Sequence, residues 1–218
     1  MKVTILIGLW TTLFFQMATA QTITQLGGDI DGEAANDYWG LEVEFSADGQ
    51  RFISSALNNN GSTNMGVPAG HARVYEWNGS AWVQLGADID GVDVERLGQD
   101  VDISADGNRV VVSSHNAAVV RVYEWNGTAW IKLGSDLTGN NDDFGYSVHM
   151  IANGQRIAVG APYIGSAVGY ATVYDWDGSN WVRVGNLVQG IIGEEFGTSV
   201  ALSEDGIHLV VGANKGLV

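Results

Sequence analysis

Short runs of apolar or alternating residues, separated by turns, cover the chain from residue 21 onward. In the third copy of a recurring pattern, the runs 144–154, 155–162, 169–178 and 179–185 each have the length of a β-strand. The first run ends in Asn-Gly or Asp-Gly, which tolerate the positive φ of a hairpin turn. The second run is almost wholly apolar, as expected of a strand buried on both faces. The pattern contains no helical period, so it predicts an all-β protein.

The four-strand unit recurs along the chain with a period of about 50 residues. Tryptophans mark the period, because Trp77, Trp125 and Trp176 occupy the same place in three copies. A four-stranded sheet cannot bury both of its faces alone, whereas copies stacked around a ring can. The sequence therefore predicts a β-propeller built from four-stranded antiparallel blades.

The predicted blades span about residues 38–91, 97–139 and 144–190, and a partial blade follows at 196–218. Residues 21–32 match the fourth strand of a blade, so we expect them to belong to a closing blade. These parts would make a ring of about four blades, which is the low end of known propellers. We instead expect an incomplete propeller, the N-terminal fragment of a longer chain.

One phrase recurs near the end of each copy, as VYEWNGSAWVQLG, VYEWNGTAWIKLG and VYDWDGSNWVRVG. We assign this phrase to the hairpin between the third and fourth strands. A two-residue Asn-Gly turn would pair Trp77 with Ser80, and would group Tyr75, Trp77 and Trp82 on one face. A four-residue loop would instead place Trp77 opposite Trp82. Cross-strand aromatic clusters of this kind fix the register of a sheet.

The hairpin tryptophans have two interpretations. They are joints that every repeat needs, or they are platforms on which a sugar stacks. We favour the joint, because Ile23 stands where three copies have their second tryptophan, and an aliphatic side chain has no ring face to offer. The candidate ligand-binding residues are Trp77, Trp82, Trp125, Trp130, Trp176 and Trp181.

Composition narrows the classes of partner and of chemistry. The formal net charge of −15 argues against nucleic acid and against anionic membrane surfaces. The chain has no cysteine, which removes thiol chemistry and cysteine metal sites. Its four histidines are scattered over different strands and fit no catalytic motif. The sequence therefore predicts a protein that is not an enzyme.

Residues 1–20 have the pattern of a secretory signal peptide. Lys2 precedes an apolar stretch, and Ala18-Thr19-Ala20 forms a small-residue cleavage site. The apolar stretch is too short and too interrupted to cross a membrane. We expect residues 21–218 to be secreted or held at the cell surface, without membrane insertion, and to bind an extracellular protein or a glycan.

Two sets of carboxylates are candidate cation sites. Ca²⁺ takes six to eight oxygen ligands, and it is the one cofactor that either set could hold. An exposed acidic turn and a hydrated central channel explain the same residues without a metal, and we favour these interpretations. The first set lies between blades and contains Asp29, Asp31, Asp88, Asp90 and Asp93. The second set alternates along the first strands, which would line the channel, and contains Glu42, Glu44, Asp100 and Asp102.

Phe144-Gly145 followed by Gly160-Ala161-Pro162 resembles the FG-GAP repeat family, known from integrin α-subunit propellers and secreted bacterial repeat proteins. The fourth copy is similar, with Phe196-Gly197 and Gly212-Ala213-Asn214. The first two copies depart from the motif, since they have Trp39-Gly40 and Leu97-Gly98 in place of Phe-Gly. The resemblance extends over almost all of the chain after residue 20.

The resemblance implies a propeller used for adhesion or protein binding. Many members of the family carry a calcium loop between the first and second strands, whereas this chain has short turns of the Ser-Ala-Asp-Gly type there. The sequence thus predicts a non-catalytic module for protein binding or adhesion. The alternative is a lectin-like or carbohydrate-active propeller.

Overall fold

The computed structural model describes residues 24–60, 68–140, 142–163 and 168–214. The predicted signal peptide and Ile23 lie outside these residues. The described residues contain no helix that is long and apolar enough to cross a membrane. The strands are β1 (Trp39–Phe45), β2 (Arg51–Ala56), β3 (His71–Trp77), β4 (Trp82–Gln84), β5 (Ile89–Asp90), β6 (Val101–Ile103), β7 (Arg109–Ser114), β8 (Val119–Trp125), β9 (Trp130–Lys132), β10 (Leu137–Thr138), β11 (Ser147–Met150), β12 (Arg156–Ala161), β13 (Tyr170–Trp176), β14 (Trp181–Gln189), β15 (Phe196–Leu202) and β16 (Leu209–Ala213).

The strands form four antiparallel sheets, which we call blades one to four. Blade one contains β1 to β5, blade two β6 to β10, blade three β11 to β14, and blade four β15 and β16. In blades one and two the fourth strand is split, because β4 and β5 both pair with β3, and β9 and β10 both pair with β8. In blade three the same path is one strand, β14. The predicted four-stranded antiparallel blade is confirmed.

The predicted two-residue hairpin turn is wrong, and the four-residue alternative is confirmed. Trp77 pairs with Trp82, and the corresponding tryptophans pair in blades two and three. The side chain of Asn78 accounts for the longer loop, because its Oδ1 accepts hydrogen bonds from the backbone N–H groups of Ser80 and Ala81, both at 2.9 Å. Asn78 N also donates to Ala81 O at 3.1 Å, which closes the loop. An asparagine side chain bonded in this way favours the wider loop over the tight turn.

The turns between the first and second strands have the geometry that their sequences predict. Gly49, Gly107, Gly154 and Gly206 have φ values of 66°, 67°, 66° and 70°. This is the left-handed region that glycine enters without strain.

The hydrophobic core lies between the blades rather than within any one of them. The second strands are its centre, since β7 and β12 are buried from their second residue to their last. One cluster joins Ile53 and Val74 of blade one to Val110 and Val112 of blade two. Equivalent clusters lie between blades two and three and between blades three and four. Each blade therefore depends on its neighbours for most of its burial.

The segment predicted to be a closing fourth strand forms no strand in its described part, residues 24–32. It lies instead against blade one, where Leu26 O accepts a hydrogen bond from Trp82 Nε1 at 3.1 Å. A strand requires a neighbour whose backbone groups can pair with its own. In its described part, the segment accepts hydrogen bonds from the indole N–H groups of Trp82 and Trp39 of blade one.

Candidate functional site

Each blade has two faces that meet different neighbours. In blade two, Tyr123 and Trp130 pack in the cluster shared with blade one, whereas Val111 and Val122 pack in the cluster shared with blade three. We call the side that carries the hairpin tryptophans the tryptophan face. In blades two and three this face packs against the preceding blade.

The second tryptophan of each hairpin binds the repeat that comes before it. Its indole N–H donates a hydrogen bond to a leucine carbonyl oxygen, and a glycine follows that leucine in all three cases. The pairs are Trp82 with Leu26 at 3.1 Å, Trp130 with Leu85 at 2.8 Å and Trp181 with Leu133 at 3.0 Å.

The first tryptophan of each hairpin packs against the glycine of the same Leu-Gly dipeptide. A Cβ atom added to Gly86 would lie 2.7 Å from Trp125 Cζ3, and one added to Gly134 would lie 2.9 Å from Trp176 Cζ3. These separations are shorter than carbon atoms tolerate, so the position requires glycine. The two tryptophans thus hold a Leu-Gly dipeptide of the preceding repeat between them. The geometry is that of a joint between repeats, and sugar binding by these residues stays a prediction.

The tryptophan face of blade one differs from the others because its inner part is exposed. Val43 and Phe45 of β1 are 56% and 59% exposed, whereas Val101 and Ile103, at the same places in blade two, are 2% and 5% exposed. Phe45 contacts Phe52 and Trp82 with ring centroids 5.6 and 5.9 Å apart. We call the set Val43, Phe45, Phe52, Tyr75 and Trp82 the aromatic face of blade one.

Two of the predicted channel carboxylates link the first strands of blades two and three. Asp100 Oδ2 accepts a hydrogen bond from Val148 N at 2.7 Å, and Asp102 Oδ2 accepts one from Met150 N at 2.6 Å. Burial raises the pKa of Asp100 to about 7 and that of Asp102 to about 6. The backbone N–H groups oppose this rise, because they favour the ionised carboxylate. Both side chains therefore have a structural task that needs no metal.

The other two channel carboxylates, Glu42 and Glu44, lie on β1. Burial raises the pKa of both, and the neighbouring charge of Asp102 adds to the rise for Glu44. In blade three the same positions hold Ser147 and His149. Their side chains also bond to the next blade, since Ser147 Oγ donates to Gly197 O at 3.0 Å and His149 Nδ1 accepts from Leu202 N at 3.2 Å. The first strands of blades two, three and four are thus linked by polar side chains that differ from repeat to repeat.

The predicted loop carboxylates are not gathered into one site. Asp29, Asp31 and Asp93 are exposed, and Asp29 accepts a hydrogen bond from Gln25 Nε2 at 2.8 Å. Asp88 pairs with Arg73, and burial together with the charge of Asp88 raises the pKa of nearby Asp90. Among the described residues, the group of three side chains whose ligand atoms could hold a metal is Glu33, His71 and Asp88. Glu33 and His71 were not predicted from the sequence.

Sequence reasoning also missed a buried acid in the loop before each first strand. Asp37 Oδ1 accepts a hydrogen bond from Trp39 N at 3.0 Å, and Glu95 Oε2 accepts one from Val92 N at 2.8 Å. Asp142 Oδ1 accepts one from Asn140 N at 3.3 Å. A signal was present, because an acid stands three positions before the first-strand glycine in every repeat. These acids stabilise the loops by accepting backbone hydrogen bonds. Part of the net negative charge of the chain therefore has a structural role.

Comparison with known proteins finds similarity in fold. No protein-family model matches the chain, and no curated protein does. A candidate 6-phosphogluconolactonase from Bacteroides uniformis superposes with a TM-score of 0.54 and 9% identity, over 77% of this chain and 45% of its own. The β-propeller domain of Cps50 (Swd1) from Myceliophteria thermophila superposes with a TM-score of 0.50 and 9% identity, over 79% of this chain and 49% of its own.

The fold is a β-propeller. A third similar structure, hydrazine synthase from Kuenenia stuttgartiensis, has a TM-score of 0.54 and 13% identity, over 78% of this chain and 42% of its own. The chain therefore spans a little under half the length of the solved structures that it matches. At these identities the likeness concerns the fold alone, and the propeller's function has to be argued from its own residues.

Proposed function

We propose that this propeller is a secreted or cell-surface module that binds another extracellular protein and catalyses no reaction. The observation that carries the proposal is the aromatic face of blade one. Val43 and Phe45 are each more than half exposed there, and the ring of Phe45 contacts the rings of Phe52 and Trp82. Contiguous exposed apolar surface of this kind marks sites of protein interaction.

The chemistry of this face favours a protein over a glycan. Val43 and Phe45 carry no group that can hydrogen-bond to a sugar hydroxyl, and the indole N–H of Trp82 is already bonded to Leu26 O. Sugar sites combine a ring face with several polar groups that fix the ligand's orientation. Aromatic and aliphatic side chains without such groups are typical of the buried centre of a protein interface.

The negative charge of the chain suggests that the partner carries basic residues around its apolar contact patch. The formal net charge is −15, and Glu42 and Glu44 alternate with Val43 along β1. A partner with basic residues around an apolar patch would complement this arrangement, and attraction between the two would speed association. We therefore expect binding to weaken as salt concentration rises.

A binding screen with matched variants tests the proposal. Residues 21–218 would be immobilised and exposed to a panel of extracellular proteins and, separately, to a glycan array. The variant carrying Val43→Ser and Phe45→Ser should lose binding to a protein that the parent binds saturably. Val83→Ser is the control, because Val83 is 49% exposed on β4 of the same blade but is not part of the aromatic face.

Three results would contradict the proposal. Saturable binding to a glycan that survives the double substitution would favour the lectin-like alternative. Turnover of a polysaccharide would overturn the non-catalytic part. Retention of residues 1–20 and of the protein inside the producing cell would overturn secretion, which requires cleavage before Gln21.

A further inference from the structure

Among the described residues, His71 on β3 is buried and has no hydrogen-bond partner. Its side chain is 1% exposed, and neither ring nitrogen has a partner among the described residues. Two buried nitrogens without partners are costly, so native proteins rarely keep them. The fold does not require histidine there, because blades two and three have Val119 and Tyr170 at the same register. The unpartnered ring nitrogens therefore indicate that His71 binds a ligand through one of them.

Two carboxylates face the same ring. The ligand atoms of Glu33, His71 and Asp88 all lie within 4.8 Å of one another. His71 Nδ1 is 4.0 Å from Asp88 Oδ2. A neutral imidazole has a free electron pair that can bind a metal.

Neighbouring side chains hold the two carboxylates in place. Arg73 donates to Asp88 from Nε at 3.0 Å and from Nη2 at 2.9 Å, and it also pairs with Glu33. Asn59 Nδ2 donates to Glu33 Oε2 at 2.9 Å. A carboxylate has about four electron pairs for hydrogen bonds or metals, so Asp88 Oδ2 keeps one beyond its bond to Arg73. Outer partners that orient the ligands in this way are characteristic of metal sites.

The local charge matches a divalent cation. Glu33, Asp88 and Asp90 are negative and Arg73 is positive, and all four act electrostatically on His71. This leaves an excess of two negative charges around a neutral imidazole. Mixed imidazole and carboxylate ligands suit zinc and its neighbours in the first transition series, whereas calcium and magnesium prefer oxygen ligands alone.

We propose that Glu33, His71 and Asp88 bind a divalent transition-metal ion of the zinc class. Tetrahedral Zn²⁺ with bonds of about 2.0–2.1 Å separates its ligand atoms by roughly 3.3 Å. The His71 and Asp88 atoms would therefore move about 0.7 Å closer together on binding. Glu33 is half exposed and lies in a loop, so it can adjust, and water fills the fourth position. The ion would tie the loop before β1 to β3 and to the loop after β4.

Isothermal titration with ZnCl₂ tests the proposal on the full chain, in buffered salt and without phosphate. The parent should bind one ion per chain, and millimolar Ca²⁺ should not compete. His71→Val should weaken binding at least about tenfold, as loss of a ligand or of its support does. Val119 occupies the equivalent place in blade two, so valine is compatible with the fold there. His208→Arg is the control. It also removes one histidine, but His208 is exposed and lies in blade four, away from the proposed site.

A second variant guards against a folding defect in the first. Glu33→Gln changes an exposed loop residue, and it should also weaken Zn²⁺ binding while leaving the circular dichroism spectrum unchanged. Co²⁺ bound in place of Zn²⁺ should give visible absorption bands that both variants lose. The proposal is overturned if no saturable binding occurs, if both variants bind as the parent does, or if Ca²⁺ displaces Zn²⁺.

Discussion

Blades one and two have nearly the same sequence pattern and very different surroundings. Val43 and Phe45 of blade one are more than half exposed, whereas Val101 and Ile103 of blade two are almost fully buried at the same places. The difference arises from the neighbours, because blade two packs its tryptophan face on blade one. The two copies thus encode similar apolar faces, and among the described residues the packing of a neighbouring blade decides how much of each face is buried.

The largest expected effect comes from placing a charge at the matched valines. Val101→Asp should cost more than about 4 kcal/mol of unfolding free energy, because it buries a carboxylate without a partner. Val43→Asp should change the unfolding free energy by no more than about 0.5 kcal/mol, since its side chain reaches water. Urea unfolding of both variants measures the difference. Equal costs would mean that the two faces are equally covered.

Tryptophan truncation should follow burial in the same way. Trp181 is buried, and its change to alanine should cost about 3–4 kcal/mol of unfolding free energy, the lower part of the range for a large core aromatic. Trp82 packs on Leu26 and Gly27 rather than on a whole blade, so Trp82→Ala should cost less than half as much. Thermal or urea unfolding provides both values. A larger loss for Trp82 would contradict the assignment of the joints.

The unfolding free energy should depend on pH through Asp100 of blade two. The pKa of Asp100 is about 7 in the folded chain, against an ordinary value of 3.8. The folded state therefore binds more protons at Asp100 than the unfolded state does, and Asp100 should contribute about 1 kcal/mol of stability as pH falls from about 8 to about 6.5. The histidines oppose this contribution over the same range, because burial lowers the pKa of His71, His115 and His149 from 6.5 in the folded chain.

Asp100→Ser isolates this effect. Serine is the residue at the same position in blade three, where Ser147 bonds to the next blade. The stability of the parent should rise by about 1 kcal/mol relative to that of the variant between about pH 8 and about pH 6.5, measured as the change in the difference between their melting temperatures. A constant difference would show that Asp100 does not produce this effect.

The smallest effect should be the same in both blades. Asn78 and Asn126 each accept hydrogen bonds from the two backbone N–H groups that close their loops, all at 2.9 Å. Changing either residue to alanine should cost about 1 kcal/mol. These loops are exposed in both blades, so the costs should agree. A large difference between them would mean that the loops sense the neighbouring blade.

Much of the fold could be predicted because its signals are local and repeated. The Asp-Gly or Asn-Gly turns recur in all four copies and the tryptophan spacing recurs in three, so each signal supports the others. The hairpin register could not be predicted, since it depends on the bonds made by the Asn78 side chain. Periodicity alone does not distinguish a two-residue turn from a four-residue loop.

The candidate site was harder to predict because its residues are distant in sequence. Glu33 and Asp88 come from different loops, and His71 lies on a strand between them. Arg73, which pairs with both carboxylates, is visible in the sequence only as one more charge in a strand. Asp102 was placed correctly on a first strand and Asp100 lies directly before it, but their bonds to blade three follow from the packing of two blades.

Hydroxyl-radical footprinting of the monomer tests the central claim most directly, because it reports the exposure of individual side chains. The account predicts rapid oxidation of Phe45 and slow oxidation of Met150, which is 4% exposed at the matched place in blade three. Methionine is intrinsically the more easily oxidised side chain, so a faster Phe45 would have to come from exposure. Protection of Phe45 to the level of Met150 would contradict the open aromatic face of blade one and remove the surface on which the proposed binding function rests.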